Sequence, residues 1–193
     1  MSALSQIPNK KMSREEYLTF DRASDVKHEH IDGTVVAMTG ASHAHSLICS
    51  YTIATLINQI GDKPCAVYPA DICVNIPATG LYTYPDISIV CGAPEFTGDS
   101  FDTLVNPILI VEVLSPSTEA YDRGTKFQHY RKLPSLQEYV LISQNKPRIE
   151  RFQRQNDLWT LTDAETLDTL LELSSIECCI AVKNIYRKVT FSA

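Results

Sequence analysis

Ile108-Leu109-Ile110-Val111-Glu112-Val113-Leu114-Ser115-Pro116 is an apolar run rich in β-branched residues and closed by a Ser-Pro breaker, and it reads as a buried strand. It holds one carboxylate, Glu112. A second run upstream, Tyr84-Pro85-Asp86-Ile87-Ser88-Ile89-Val90, has the same character and also holds one acid, Asp86. An ionised carboxylate among apolar neighbours is costly unless it is paired, hydrogen-bonded or bound to a metal. Two such strands side by side lie about 4.8 Å apart. Asp86 and Glu112 could then share one divalent cation, or each could cap a strand end or pair with an arginine.

Upstream of these runs, Ser13-Arg14-Glu15-Glu16 is a capping box that starts a short helix to about Arg22. Asp32-Gly33 between Lys27–Ile31 and Thr34–Met38 signals a two-residue hairpin, since both turn residues need positive φ. Alternation puts Glu29 and Ile31 on one face and His28 and His30 on the other. Glu29 is therefore a third inward acid. Ser42 caps a long helix to Ile60, stopped by Gly61, with an apolar stripe of Leu47, Ile48, Tyr51, Ala54, Leu56, Ile57 and Ile60. His43 and His45 fall in its first turn on different faces, so only His45 is a candidate for an accessory role. Residues 65–76 read as an extended segment interrupted at Pro69, and residues 92–107 as a loop.

Downstream, Ser117 or Thr118 caps a helix that ends at Leu133 before Pro134. Asp122, Lys126 and Tyr130 share one face of it, while Gly124 weakens its start. Residues 138–143 read as a strand, Arg148–Gln153 and Leu158–Thr162 as an antiparallel pair, residues 169–173 as an edge strand and residues 181–188 as a short helix. The order predicts an α+β fold with a mixed central sheet flanked by helices. It also predicts an N-terminal tail over residues 1–11 and one domain over residues 12–193.

The chain has 193 residues and contains no run of about 18 apolar residues, so no membrane-spanning helix is expected. Residues 1–11 lack the apolar core of a signal peptide, which predicts a cytoplasmic protein. The six cysteines show no metal-ligand spacing and read as reduced core thiols. The net charge of −6 argues against a broad non-specific grip on nucleic acid. Residues 62–121 carry one base and eight acids, and residues 122–154 carry eight bases and three acids. Such blocks fit a metal site beside a phosphate-binding surface, or two faces that neutralise each other.

A hard cation such as Mg²⁺ takes one or two carboxylates and leaves the other positions to water and phosphate. Asp86 and Glu112 supply the carboxylates, and the main-chain carbonyl of Val113 could add a ligand. Lys126 could orient an attacking water or neutralise charge on a phosphate in the transition state. Glu29 could hold a water or a second metal, and Tyr130 could steady the lysine.

The motifs Tyr82-Thr83-Tyr84-Pro85-Asp86, Val111-Glu112-Val113-Leu114-Ser115-Pro116-Ser117-Thr118, Tyr121-Asp122-Arg123-Gly124-Thr125-Lys126 and Tyr130-Arg131-Lys132-Leu133-Pro134-Ser135-Leu136-Gln137-Glu138-Tyr139, with His30-Ile31-Asp32-Gly33, resemble the Uma family. That is a bacterial family of restriction-endonuclease-like proteins within the PD-(D/E)XK nuclease superfamily. The resemblance runs from about Ser13 to Tyr186. It implies a restriction-endonuclease-like core and metal-dependent cleavage of DNA phosphodiesters with Mg²⁺ or Mn²⁺. Catalytic roles fall to Glu29, Asp86, Glu112 and Lys126, and the protein is expected to be a homodimer. The superfamily places a lysine two residues after the second acid. Here that residue is Leu114, and Lys126 is the expected replacement. The alternative is a catalytically weak or inactive dimeric binding module that keeps the fold.

Overall fold

The computed structural model describes residues 11–38, 40–98 and 102–191, so the expected tail lies outside the described residues except for Lys11. The chain begins with helix α1 (Arg14–Arg22), the hairpin β1 (His28–Ile31) and β2 (Thr34–Ala37), and the long helix α2 (His43–Ile60). There follow β3 (Cys65–Pro69), β4 (Cys73–Ile76), β5 (Leu81–Thr83), β6 (Ile87–Cys91), β7 (Thr103–Leu104) and β8 (Leu109–Leu114). A helical segment comes next: α3 (Glu119–Tyr121), a π-helical stretch (Asp122–Lys126) and α4 (Phe127–Tyr130). Strands β9 (Glu138–Ser143), β10 (Ile149–Gln155), β11 (Leu158–Ala164), β12 (Leu170–Leu173) and β13 (Cys178–Ala181) and helix α5 (Val182–Ile185) complete the chain.

The fold is α+β, with mixed sheets flanked by helices. One sheet has six strands in the order β11-β10-β9-β8-β6-β3. A second has five, in the order β2-β1-β5-β4-β7, and β12-β13 form a separate ribbon. Strand β8 is central to the larger sheet: antiparallel to β6, with Ile87 opposite Val111, and parallel to β9. All six of its residues are buried. Leu109, Val111 and Val113 pack with Ile48, Leu56 and Ile60 of α2 and with the C-terminal ribbon. Ile110 and Leu114 face the other way, into a core with Val74, Ile76 and Leu81 of the five-stranded sheet and Tyr130. Each such fully buried aliphatic contributes about 1.5–3 kcal/mol. Glu112 shares the face of Ile110 and Leu114 and is the one charge on it.

Local signals account for the elements that frame this core. Ser13 and Glu16 form the reciprocal capping box of α1. Ser42 Oγ accepts from the His45 amide at 3.0 Å, and Gly61, at φ 52°, ends α2. The hairpin turns on Asp32 (φ 49°) and Gly33 (φ 84°), with Glu29 opposite Val36. His28 and His30 do lie on the face away from Glu29: His28 meets Asp21 of α1, and His30 stacks on Tyr17.

Several expectations are corrected. Asp86 precedes β6 and does not lie within a strand, because Tyr84-Pro85-Asp86 is where the chain crosses from the five-stranded sheet to the six-stranded one. The interruption after Pro69 is a similar crossover between sheets, not a bend in one strand. On α2 the buried line is Ile48, Thr52, Leu56 and Ile60, while Ile57 is exposed, since one side of the helix faces water. Gly124 does not delay the third helix but lies inside its π-helical stretch. Cys65 and Cys91 are not free thiols: the β3–β6 register sets them opposite each other, and they form a disulfide. Strand β10, expected to pair with one neighbour, is paired on both sides, by β9 and β11. Its Arg151 pairs with Glu138 and its Arg154 stacks on Trp159, while Arg148, just before the strand, pairs with Asp163. No helix among the described residues is long and apolar enough to cross a membrane.

A Cβ at residue 33 would lie 3.3 Å from Lys11 Cβ, on a backbone that L side chains rarely adopt. Gly33→Ala should therefore cost about 1–2 kcal/mol, read as a lower urea midpoint at unchanged slope. Asp32→Asn, compatible with left-handed backbone, should leave the midpoint nearly unmoved.

Candidate active site

Four parts of the fold deliver charged side chains to one place. The hairpin presents Glu29 from the five-stranded sheet. The crossover before β6 presents Asp86, and β8 presents Glu112. The π-helical stretch presents Asp122 and Lys126. Together with His45, Tyr84 and Tyr121 they line a cleft of about 370 Å³.

Lys126 Nζ lies 2.9 Å from Glu112 Oε1, 3.0 Å from Glu29 Oε1 and 3.6 Å from Asp122 Oδ1, with all four side chains buried. The Tyr130 hydroxyl donates to Glu112 Oε1 at 2.8 Å, and the Thr83 hydroxyl donates to Glu29. Asp86 Oδ2 accepts from the Val113 amide at 2.7 Å and lies 3.2 Å from His45 Nε2. The Asp86 amide approaches Glu112 Oε2 at 3.4 Å. Sequence-expected residues Glu29, Asp86, Glu112, Lys126, Tyr130 and His45 thus all reach the cleft or its floor. Val113 also lines the cleft.

The π-helical stretch matters here. A single widened turn inside a helix shifts the phase of the residues after it, and such turns are frequent at functional sites. It keeps Asp122 and Lys126 both turned inward and buried. Tyr139 of β9 donates to the Asp122 carbonyl at 3.1 Å, which pins the widened turn to the sheet.

Burial pushes the Glu112 carboxyl up to about 8, against the pull of the Lys126 ammonium. Asp122 is also raised by burial, again opposed by Lys126. Burial works to lower Lys126, but Glu112 and Glu29, aided by other neighbours, outweigh it and hold the ammonium well above the ordinary lysine range. Lys126 therefore stays charged, while Glu112 keeps its proton into a range where ordinary glutamates are ionised.

Residues 14–182 match the Uma2 family, described as "putative restriction endonuclease". The chain belongs to that family. It is 40% identical over 186 residues to the "Uncharacterized protein slr1290" of Synechocystis sp. (strain ATCC 27184 / PCC 6803 / Kazusa), covering 95% of this chain and 96% of that protein. It is 35% identical over 160 residues to "Uncharacterized protein sll1609" of the same strain, covering 82% and 90% respectively. A crystal structure described as "a putative nuclease belonging to DUF820", from Anabaena variabilis ATCC 29413, superposes with a TM-score of 0.76 at 17% identity, over 93% of this chain and 99% of that one. At that identity the likeness shows the fold, which is nuclease-like.

Sequence reasoning assigned no role to four residues at or beside the cleft. Asp122 was visible as a neighbour of Lys126 but had no assigned role. Thr83 signals nothing by itself, since its value lies in facing Glu29 across the β1–β5 pairing. Tyr121 belongs to a quoted motif, yet only the fold shows its hydroxyl buried beside the cleft without a hydrogen-bond partner among the described residues. Cys49, one turn along α2 from His45, lies 3.5 Å from His45 Nδ1.

A carboxyl raised by folding binds its proton more tightly in the folded chain than in the unfolded one, so folding takes up a proton between the ordinary value and the raised one. In chelator, the contribution of Glu112 to stability should be fully present below 4.5 and fall as pH rises to about 8, by at most about 1.4 kcal/mol per pH unit. Glu112→Gln should flatten that fall in urea unfolding across the window; a variant with the same slope as wild type would exclude the shift.

Proposed function

We propose that the protein is a metal-dependent nuclease that hydrolyses phosphodiester bonds in DNA, with Mg²⁺ or Mn²⁺ held by Asp86 and Glu112. The observation that carries this reading is the meeting of Asp86, Glu112 and Lys126 in one cleft, with the lysine 2.9 Å from the second acid although it comes from a helix instead of from β8.

The donor set suits a hard cation. Glu112 Oε1 is committed to Lys126 and Tyr130, while Oε2 has only the long contact with the Asp86 amide. Asp86 Oδ2 accepts from the Val113 amide and keeps a second lone pair on the side of His45 Nε2, and Oδ1 has no hydrogen-bond partner among the described residues. Each acid therefore has an oxygen available, and the Val113 carbonyl is a third candidate. Among the described residues the cleft sets Glu29, Asp86, Glu112 and Asp122 against Lys126, so it repels phosphate unless positive charge is added. A bound divalent cation supplies that charge and the Lewis-acid chemistry that activates water and stabilises phosphate oxygens.

The chain's own residues do the rest. Lys126 has three N–H donors. Two go to Glu112 and Glu29, and Asp122 at 3.6 Å is too far for a good hydrogen bond. One N–H is left to orient the attacking water or to donate to a phosphate oxygen. Glu29 and Thr83 fix the lysine, and Tyr130 fixes Glu112. The Tyr121 hydroxyl, without a hydrogen-bond partner among the described residues, is a further donor for the phosphate or its neighbour. Within the basic block after residue 122, Arg123 pairs with Glu119 and Glu150, and Arg148 with Asp163, so these two guanidinium groups are already engaged. DNA is held at the cleft itself.

Purified protein incubated with supercoiled plasmid should nick it with Mg²⁺ or Mn²⁺ and not with chelator. Asp86→Ala and Glu112→Ala should each abolish nicking, and Lys126→Ala should slow it by about 10²–10³-fold while retaining metal binding. Cleavage that survives equally in Asp86→Ala would refute the assignment.

A further inference from the structure

Helix α2 presents a nitrogen donor, His45 Nε2, to a cleft whose carboxylates offer oxygens. His45 and Cys49 lie one turn apart on it, and with Asp86 they offer donor atoms within 4.8 Å of one another. The two sides of the imidazole are differently engaged. Nε2 lies 3.2 Å from Asp86 Oδ2, and Nδ1 lies 3.5 Å from Cys49 Sγ. The ring is placed by the start of its helix, since the His45 amide donates to the Ser42 cap. His43, in the same turn, is exposed and does not line the cleft.

We propose that His45 Nε2 is a direct ligand beside Asp86 and Glu112, and that the centre therefore prefers a transition-metal dication, Mn²⁺ among them, over Mg²⁺. The inference rests on the reading of Asp86 and Glu112 as the cation-binding pair.

The distance supports shared ligation. Two ligands at about 2.1 Å from one octahedral ion, at right angles, are about 3.0 Å apart. His45 Nε2 and Asp86 Oδ2 already stand near that spacing, so one ion can replace the contact between them with little movement of either residue. Ligation needs the lone pair on Nε2, which places the ring proton on Nδ1. Histidine ligands commonly donate that second N–H to a neighbour that fixes the ring. Cys49 Sγ, a weak acceptor, occupies that position here. Cys49 and Asp86 thus take opposite nitrogens, and the thiol holds the ring without being a ligand itself. Imidazole nitrogen suits transition metals, whereas Mg²⁺ favours carboxylate, carbonyl and water oxygens.

Metal-free full-length protein, titrated with Mn²⁺ alone and with Mn²⁺ against Mg²⁺, tests this by the loss of the free-ion paramagnetic resonance signal. Wild type should bind Mn²⁺ at least about tenfold more tightly than Mg²⁺, and His45→Ala should lose that preference with its Mg²⁺ affinity within about twofold. The bound Mn²⁺ in wild type should show nitrogen hyperfine coupling, a readout that needs no variant to fold. Bound Mn²⁺ without nitrogen coupling, or an unchanged preference in His45→Ala, overturns the proposal, and the nuclease reading survives if plasmid is still cut. Nitrogen-coupled Mn²⁺ that depends on His45, in a protein that cuts no plasmid, sinks the nuclease reading and leaves the ligand assignment standing.

Discussion

The ammonium of Lys126, buried between Glu112 and Glu29, joins the parts of the molecule that the backbone leaves separate. Glu29 belongs to the five-stranded sheet, Glu112 to the six-stranded sheet and Lys126 to the helical segment between β8 and β9. A buried ion pair is weak evidence for stability, because desolvating the charges offsets much of their attraction. Its consequence here is geometric. Removing the lysine would strand three buried carboxylates, so the cleft walls are held together by a contact that no apolar swap at one position could replace. The same contact fixes one oxygen of Glu112 and leaves the other free.

The cleft exists because the chain changes sheets. Between β5 and β6 it leaves the five-stranded sheet and enters the six-stranded one, and Tyr84-Pro85-Asp86 is the passage. Proline suits that passage, since it forgoes a ladder donor just where no ladder continues. Asp86 comes one residue before the pairing of Ile87 with Val111, so its amide sits against Glu112 and its carboxylate reaches the Val113 amide. Where the two sheets part, apolar packing cannot close the gap, and charged side chains occupy it. The location of the acids is thus a product of topology as much as of their own chemistry.

Much of this was legible in the residues. Alternation around Asp32-Gly33 turned Glu29 inward, and the two β-branched runs put Asp86 and Glu112 side by side. The i, i+4 pattern brought Asp122, Lys126 and Tyr130 to one face, and the motif resemblance supplied the family. The hidden features depend on register and on sheet assignment, which residue patterns do not encode. The Cys65–Cys91 pair exists only because β3 runs antiparallel to β6 in one particular alignment. Thr83 meets Glu29 only because β5 lies beside β1. The apolar stripe of α2 is wider than its buried line because an apolar residue such as Ile57 can face water, and helical periodicity says nothing about which side a partner covers. The π-helical turn leaves only Gly124 as a trace in the sequence, and a lone glycine signals a weak helix, not a widened one.

The position of the lysine has a physical rationale within this fold. Residue 114 shares the face of Glu112 and is 3% exposed, packed into a core with Val90, Ile110 and Tyr139. A lysine there would place its stem in that core and would take apolar area from both sheets. Leucine at 114 keeps the core continuous, and the charge arrives from outside it, on a helix whose widened turn aims it inward. The cost is dependence: the strand alone can fix Glu112, but the partner of Glu112 is set by the helix, by the Tyr139 contact that pins its π-helical turn, and by Glu29 across the cleft. Lysine position and the approach of the two sheets therefore vary together, and anything that separates the sheets also frees the ammonium from Glu29 while leaving it on Glu112.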